Sequence, residues 1–184
     1  MNKQVCPWWL GYTLITPFRR LQYDPARLLA PYIRSGMTVI EPGTGMGYFT
    51  LELARLVGDT GCVGAVDIQP QMLARLKRRA AKAGVLERLD VRLAKPDSLG
   101  IGDVTGADFA LAFAVVHEVP DADAFFSQLA HALKPGAGLL FAEPKGHVKL
   151  AAFEEELGAA VRAGFTLLDR PPVKTAYAAV LKKN

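Results

Sequence analysis

Met37-Thr38-Val39-Ile40-Glu41-Pro42-Gly43-Thr44-Gly45-Met46-Gly47 is an apolar run that ends in an acid and then three glycines at alternate positions, and its reading decides the fold. Val39 and Ile40 read as a buried strand, and the glycines as a tight turn into Tyr48 to Val57, whose apolar residues have helical spacing. Strand, glycine turn and helix make the first half of a βαβ unit. Glycine suits such a turn because its backbone takes angles that a β-carbon forbids, and because a ligand can then approach the main chain closely. The turn is a candidate nucleoside-cofactor site, although a strand-to-helix turn can also use glycine with no ligand at all.

Spacing narrows the ligand. A dinucleotide fingerprint runs G-x-G-x-x-G, but counted from Gly43 its third glycine falls on Tyr48, and counted from Gly45 it falls on Thr50. No Gly-Lys-Ser/Thr follows, which excludes the P-loop.

Outward from this stretch, strands and helices alternate. Asp24-Pro25 opens a helix, with Asp24 as N-cap and Pro25 in the first turn, expected to run to about Ile33 and to stop before Gly36. Cys62 to Val66 is a second buried strand ending at Asp67, and Gln71 to Ala83 a helix closed by Gly84. Leu89 to Leu93 is a short third strand, and Ala107 to Val116 an apolar run that suits a central parallel strand buried on both faces. Asp121 to Leu133 reads as a helix ended by Lys134-Pro135-Gly136, and Gly138 to Ala142 as strand five. A helix over Glu154–Ala163, a strand over Phe165–Leu168 and a last strand over Thr175–Leu181 complete the chain. This alternation means a doubly wound α/β fold with a mainly parallel sheet and helices on both faces.

At 184 residues and 51% hydrophobic, the sequence fits a single domain spanning 1–184. The first 24 residues, with Trp8, Trp9, Tyr12, Phe18 and Tyr23, form an aromatic segment expected to pack on a sheet edge or to lid a site. The 22 Lys plus Arg against 18 Asp plus Glu give a net +4. Arg75, Lys77, Arg78, Arg79 and Lys82 supply much of that excess and would be spread over the outer face of a helix, as a solvated surface more than a nucleic-acid footprint. Two cysteines far apart and three scattered histidines imply neither a disulfide framework nor a metal site. Pro7 and Gly11 interrupt the apolar start, which reads as neither a signal peptide nor a membrane span, so the expected compartment is the cytoplasm.

Asp67 ends the second strand twenty residues after Gly47, the length of one helix plus a returning parallel strand. An acid there stands beside the glycine turn, at the edge where open α/β sheets bind ligands, and its two oxygens match the two hydroxyls of a ribose. It would equally suit a cap on the following helix.

Glu-x-Gly-x-Gly-x-Gly over Glu41–Gly47 resembles motif I of the class I S-adenosylmethionine (SAM) dependent methyltransferases, and Asp67-x-x-x-x-Met72-Leu73 resembles their post-I segment. Val115-Val116-His117-Glu118-Val119 resembles the segment after strand four in small-molecule methyltransferases such as those of quinone biosynthesis. The resemblance covers roughly Ala30 to Leu181. It implies seven strands, the last one antiparallel and inserted between the fifth and sixth positions. It also implies that Gly43, Thr44, Gly45 and Gly47 cradle the cofactor, that Asp67 takes the ribose and that Ile68 packs against adenine. Glu41, under the loop, would help to hold the methionyl end of a ligand that carries a sulfonium and an ammonium. Phe113, at the end of strand four, joins this set.

One departure stands out. Where the family carries an acid after strand three, this chain has Lys95, with Asp97 two positions later. Either Asp97 takes the adenine amino group or backbone groups around Ala94 and Lys95 do. The Asn/Asp-Pro-Pro-Tyr/Phe motif of enzymes that methylate planar amino groups is absent, which argues against such base or glutamine substrates. His117 is the first candidate for a general base and Glu118 the second, the alternative for His117 being to shape the pocket or to cap the next helix. Lys145 and His147 leave strand five at the same edge and are expected near a substrate mouth or in a plain loop. The implied function is methyl transfer from SAM to a small or medium-sized acceptor by in-line displacement, with no metal. The alternatives are an RNA or protein methyltransferase, nucleic acid being the less favoured partner, and a SAM-binding protein without catalysis.

Overall fold

The computed structural model of the chain describes residues 23–184, so the aromatic segment expected to form a lid or an edge packing lies, up to residue 22, outside the described residues. Twelve elements follow in order: α1 (Pro25–Leu29), β1 (Thr38–Pro42), α2 (Thr50–Val57), β2 (Cys62–Asp67), α3 (Pro70–Lys82), β3 (Leu89–Leu93), β4 (Ala107–Phe113), α4 (Ala122–Ala132), β5 (Leu133–Pro144), α5 (Leu150–Arg162), β6 (Phe165–Asp169) and β7 (Ala176–Lys183).

All seven strands join one sheet in the order β3-β2-β1-β4-β5-β7-β6. The pairs from β3 to β5 are parallel, whereas β7 runs antiparallel to both β5 and β6. This is the inserted last strand that the family resemblance implies. The chain leaves β1 toward β2 on one side and returns as β4 on the other, so the strand order reverses between β1 and β4, and the carboxyl ends there border a crevice.

Pleating explains how the core divides. Val39, Leu111 and Phe113 point to one face, where Leu53 and Val57 of α2 and Leu76 and Ala80 of α3 cover them. Ile40, Ala110 and Ala112 point to the other, beneath Phe126 and Leu129 of α4 and Phe153 and Leu157 of α5. Buried on both faces, β4 reads as continuous apolar sequence rather than as an alternation. No helix among the described residues is long and apolar enough to cross a membrane.

Four elements depart most from the sequence expectation. β4 stops at Phe113 rather than Val116: Ala114 adopts a φ of 58° and Val116–Glu118 wind into a 3-10 turn. Val116 stays fully buried, so the run is apolar for a reason other than pairing. β5 begins at Leu133, directly after α4, and Lys134-Pro135-Gly136 bulges within it, where the register slips from Ala107 opposite Leu133 to Phe109 opposite Gly138. α5 starts at Leu150, which puts the Glu154–Glu156 triple inside the helix, with Glu156 buried and Glu154 paired to Arg170. α1 ends at Leu29, short of Ile33; its Asp24 cap on the Ala26 amide and its Pro25 at the first position are as expected. Tyr23, the first described residue, meets Phe113 edge-on and donates its hydroxyl to the Thr175 carbonyl.

Candidate active site

The glycine turn carries the carboxyl end of β1 toward α2. Gly43, Gly45 and Gly47 all have positive φ, 71°, 53° and 83°, where side chains with a β-carbon are strained. They serve different ends. A β-carbon on Gly43 would stand 2.7 Å from Val115, and one on Gly47 would collide with Leu76 of α3, so both are demanded by packing. At Gly45 a β-carbon would meet nothing within 4 Å. That open side faces a cavity, and it is where a ligand can come against the main chain.

Asp67 is the fixed charge of this cavity. Its Oδ2 accepts the Gly45 N–H at 2.8 Å and its Oδ1 the Gln69 N–H at 2.8 Å. It therefore caps the start of α3 and ties down the glycine turn at once, so the two sequence readings of this acid hold together. A carboxylate has about four lone-pair sites, more than these bonds use, and Asp67 lines the cavity. Burial pushes the Asp67 carboxyl above its ordinary value, and the N–H groups of Gln69, Gly45 and Ile68 pull against that rise without cancelling it. Arg79 of α3 donates to the Met46 carbonyl and pins the far side of the turn.

The cavity has a volume of about 420 Å³, within the range of small-molecule sites, and spans the carboxyl edge from the glycine turn to the start of α4. Gly43, Gly45, Asp67, Ile68, Asp97 and Glu118 of the expected residues line it. The others sit behind its wall. Glu41 is buried beneath the turn and accepts from the Thr44 hydroxyl at 3.2 Å, and Thr44 also meets Thr50, so this pair braces the loop from below. Gly47 backs onto α3. Phe113 turns to the opposite side, among Tyr23 and Phe49, because it follows the pleat of β4 away from α4.

His117 lies outside the lining, for a definite reason. Its Nδ1 is 2.6 Å from Oε2 of Glu143, a fully buried carboxylate at the end of β5, whose Oε1 accepts the N–H of Val116 at 2.8 Å and of His117 at 3.3 Å. One carboxylate thus caps the 3-10 turn and clamps the ring. Burial works against the charge on His117, but the hydrogen bond and the charge of Glu143, with Glu118 and Glu156 beyond, outweigh it and raise the imidazole above its ordinary value. The other ring nitrogen, Nε2, is 3.9 Å from Glu118, which does reach the cavity.

Past β3, Lys95 and Ser98 exchange backbone hydrogen bonds of 2.7 and 3.1 Å, closing a tight turn that holds Asp97 at the cavity rim. The Ala94 and Lys95 N–H groups are both engaged in this chain, with Asp67 and Ser98 carbonyls. Gln128 of α4 accepts the Leu99 N–H at 2.8 Å and anchors the turn. Met72, part of the post-I resemblance, lines the cavity; Gln69, Gln128 and Glu143 belong to the site or its support and were not legible as such. Gln128 lies on an amphipathic helix where nothing in the pattern separates it from a solvated glutamine. Glu143 had one signal: an acid at the end of a fully apolar strand.

A family model described as Methyltransferase domain matches residues 33–183. Among curated proteins, the chain is 32% identical over 111 residues to the ubiquinone/menaquinone biosynthesis C-methyltransferase UbiE of Escherichia coli, a match over 60% of this chain and 44% of that protein. The match thus spans under half the length of that relative. Among solved structures, a SAM-dependent methyltransferase from Aquifex aeolicus superposes with a TM-score of 0.87 at 22% identity, covering 98% of this chain and all of that one. A TehB-like SAM-dependent methyltransferase from Corynebacterium glutamicum gives a TM-score of 0.74 at 18% identity, over 95% of this chain and 98% of that one. At these identities the two structures show the class I methyltransferase fold.

Proposed function

We propose, since this chain belongs to the methyltransferase-domain family, that it binds SAM in the cavity at the carboxyl edge of β1, β2 and β4 and transfers the methyl group to a small organic acceptor. The observation that carries the reading is Asp67, held at the cavity wall by backbone N–H groups, with acceptor capacity left over for ribose hydroxyls. The donor set fits the cofactor elsewhere too: an open backbone at Gly45, an apolar Ile68 beside the acid, and Asp97 at the rim. The adenine amino group donates, and the Asp97 carboxylate at the rim is placed to accept from it.

When bound, SAM supplies a methyl carbon already activated on a sulfonium, with a neutral leaving group. What remains for the chain is to orient the acceptor and to exclude water. Val115 and Phe125 give the acceptor side an apolar wall, and Glu118 gives it a carboxylate. Glu118 is the residue placed to take a proton from the acceptor at its Oε1 or Oε2. His117 positions it: clamped through Nδ1 by Glu143, the ring keeps its Nε2 toward Glu118 and, outside the cavity lining, is poorly placed to act as the base itself.

The likeness to UbiE, named for C-methylation in ubiquinone and menaquinone biosynthesis, supports a small acceptor, and the missing amino-methylation motif points the same way. Two cysteines far apart in sequence suit a reducing compartment, and the cytoplasm is the one proposed. The test is transfer of isotopically labelled methyl from SAM into a panel of small phenols, carbon acids and amines, run beside bulk RNA and protein. Label in a small molecule is expected. Label confined to RNA, with binding that falls steeply with salt, would replace the small acceptor by a nucleic acid.

A further inference from the structure

A second cleft, of about 450 Å³, opens beyond β5 and shares no lining residue with the first. Lys145, Arg170, Lys174 and Tyr177 line it, with Phe153 beneath and the Pro171–Val173 turn as its outer wall. The charges here are not balanced. Arg170 is matched by a bidentate pair with Glu154, at 2.7 and 2.8 Å. Lys145 reaches only carbonyl oxygens, of Lys174 at 3.3 Å and Val173 at 3.5 Å, and lies 5.4 Å from the centre of the Tyr177 ring. Neither Lys145 nor Lys174 has a carboxylate partner among the described residues. The cleft is therefore lined by two lysines without a carboxylate partner among the described residues, beside an apolar floor and wall, the chemistry that takes an anionic group attached to an apolar body.

Its place on the sheet links it to the cofactor cavity. Tyr177 is the strand partner of Glu143 across β5 and β7. Glu143 clamps His117, whose ring lies 6.2 Å from that of His147, and Glu118 beside it lines the first cavity. A path along the carboxyl edge thus runs from Glu118 through His117 and His147 to Lys145. We propose that the second cleft binds an organic carboxylate and, resting on the methyl-transfer reading above, that it holds the acidic end of the acceptor while the methylated atom lies in the first cavity. Rigid Pro171-Pro172 keeps the wall in place without ligand.

The experiment is an NMR titration of the isotope-labelled full chain with sodium benzoate, and separately with inorganic phosphate, at constant ionic strength. Benzoate is expected to shift the amides of Lys145 and of residues 170–178 saturably, with a Kd on the order of millimolar for so small a ligand. The double variant Lys145→Gln with Lys174→Gln should weaken it at least about tenfold, which is the loss of roughly 1.4 kcal/mol. Shifts scattered over all surface lysines, an unchanged Kd in the double variant, or phosphate binding as tightly as benzoate would each overturn the proposal. S-adenosylhomocysteine, added to the same samples and read at Gly45 and Asp67, separates the two readings. Benzoate binding without a response to the nucleoside sinks the cofactor assignment and keeps the cleft; the reverse sinks the cleft alone.

Discussion

Asp67 combines three roles in one carboxylate: it caps α3, holds the Gly45 N–H and faces the cavity. Because burial raises its carboxyl above the ordinary range, protonation turns one oxygen from acceptor to donor at a higher pH than for a free aspartate, near 3.9. SAM affinity should therefore fall on acidification, starting at a higher pH than a free aspartate would give; the sign follows because the binding form is the deprotonated one. Calorimetry across that range checks it, and an affinity indifferent to pH down to the ordinary aspartate value removes Asp67 from the contact. Ala114, at a φ of 58°, is the other residue under constraint: it ends β4 beside the cavity at a backbone angle that costs an alanine about 1–2 kcal/mol.

Among the elements, the 3-10 turn Val116–Glu118 depends most on a single group. Glu143 accepts from two of its N–H groups and from the His117 ring, with no exposure to water. Since the folded-state value of His117 is raised above that of a free histidine, near 6.5, the folded chain binds more protons. This part of the stability is fully present below about 6.5 and is lost as pH rises through the raised value. Glu143→Gln keeps an acceptor for the backbone but removes the charge, so it should cost about 1–3 kcal/mol at mildly acidic pH and flatten that pH dependence. Urea denaturation at several pH values reads both. A variant as stable as the native chain at pH 6, with the same slope, would mean that Glu143 only fills space.

The elements that sequence could reveal were those with two independent signals. β1 had an apolar run and a glycine stop, and α3 had amphipathic spacing with Pro70 at its start and Gly84 after its end. β5 was legible only over its buried part, because its first residues carry Lys134-Pro135-Gly136, a turn signature that the structure absorbs as a bulge. The carboxyl end of β4 was overextended, since Val116 is apolar for burial and Val115 for lining the cavity after pairing has ended. Asp67 could be placed from chain length alone, but the Glu143–His117 contact joins residues 26 apart, one at the end of β5 and one in the turn after β4, and no spacing rule reports it.

For the whole molecule, the topology that reverses between β1 and β4 is what opens a crevice, and the inserted β7 adds the second cleft beside it. A ligand that bridges the glycine turn, the β3 exit and the start of α4 joins segments far apart in sequence and binds only the folded chain. S-adenosylhomocysteine at a hundred times its Kd should add about 2.7 kcal/mol, seen as a rise in Tm of roughly 5–10 °C for a domain of this size. A Tm that ignores the nucleoside at that concentration contradicts binding to the native state.

The most direct measurement is isothermal calorimetry of SAM against the native chain and Asp67→Ala, with folding of both confirmed by circular dichroism. One site per chain is expected, weakened at least about tenfold by the substitution, as loss of charge-assisted hydrogen bonds of about 1.5–3 kcal/mol requires. Binding of equal strength in the two proteins, or none in the native chain, would contradict the assignment of this cavity to the methyl donor.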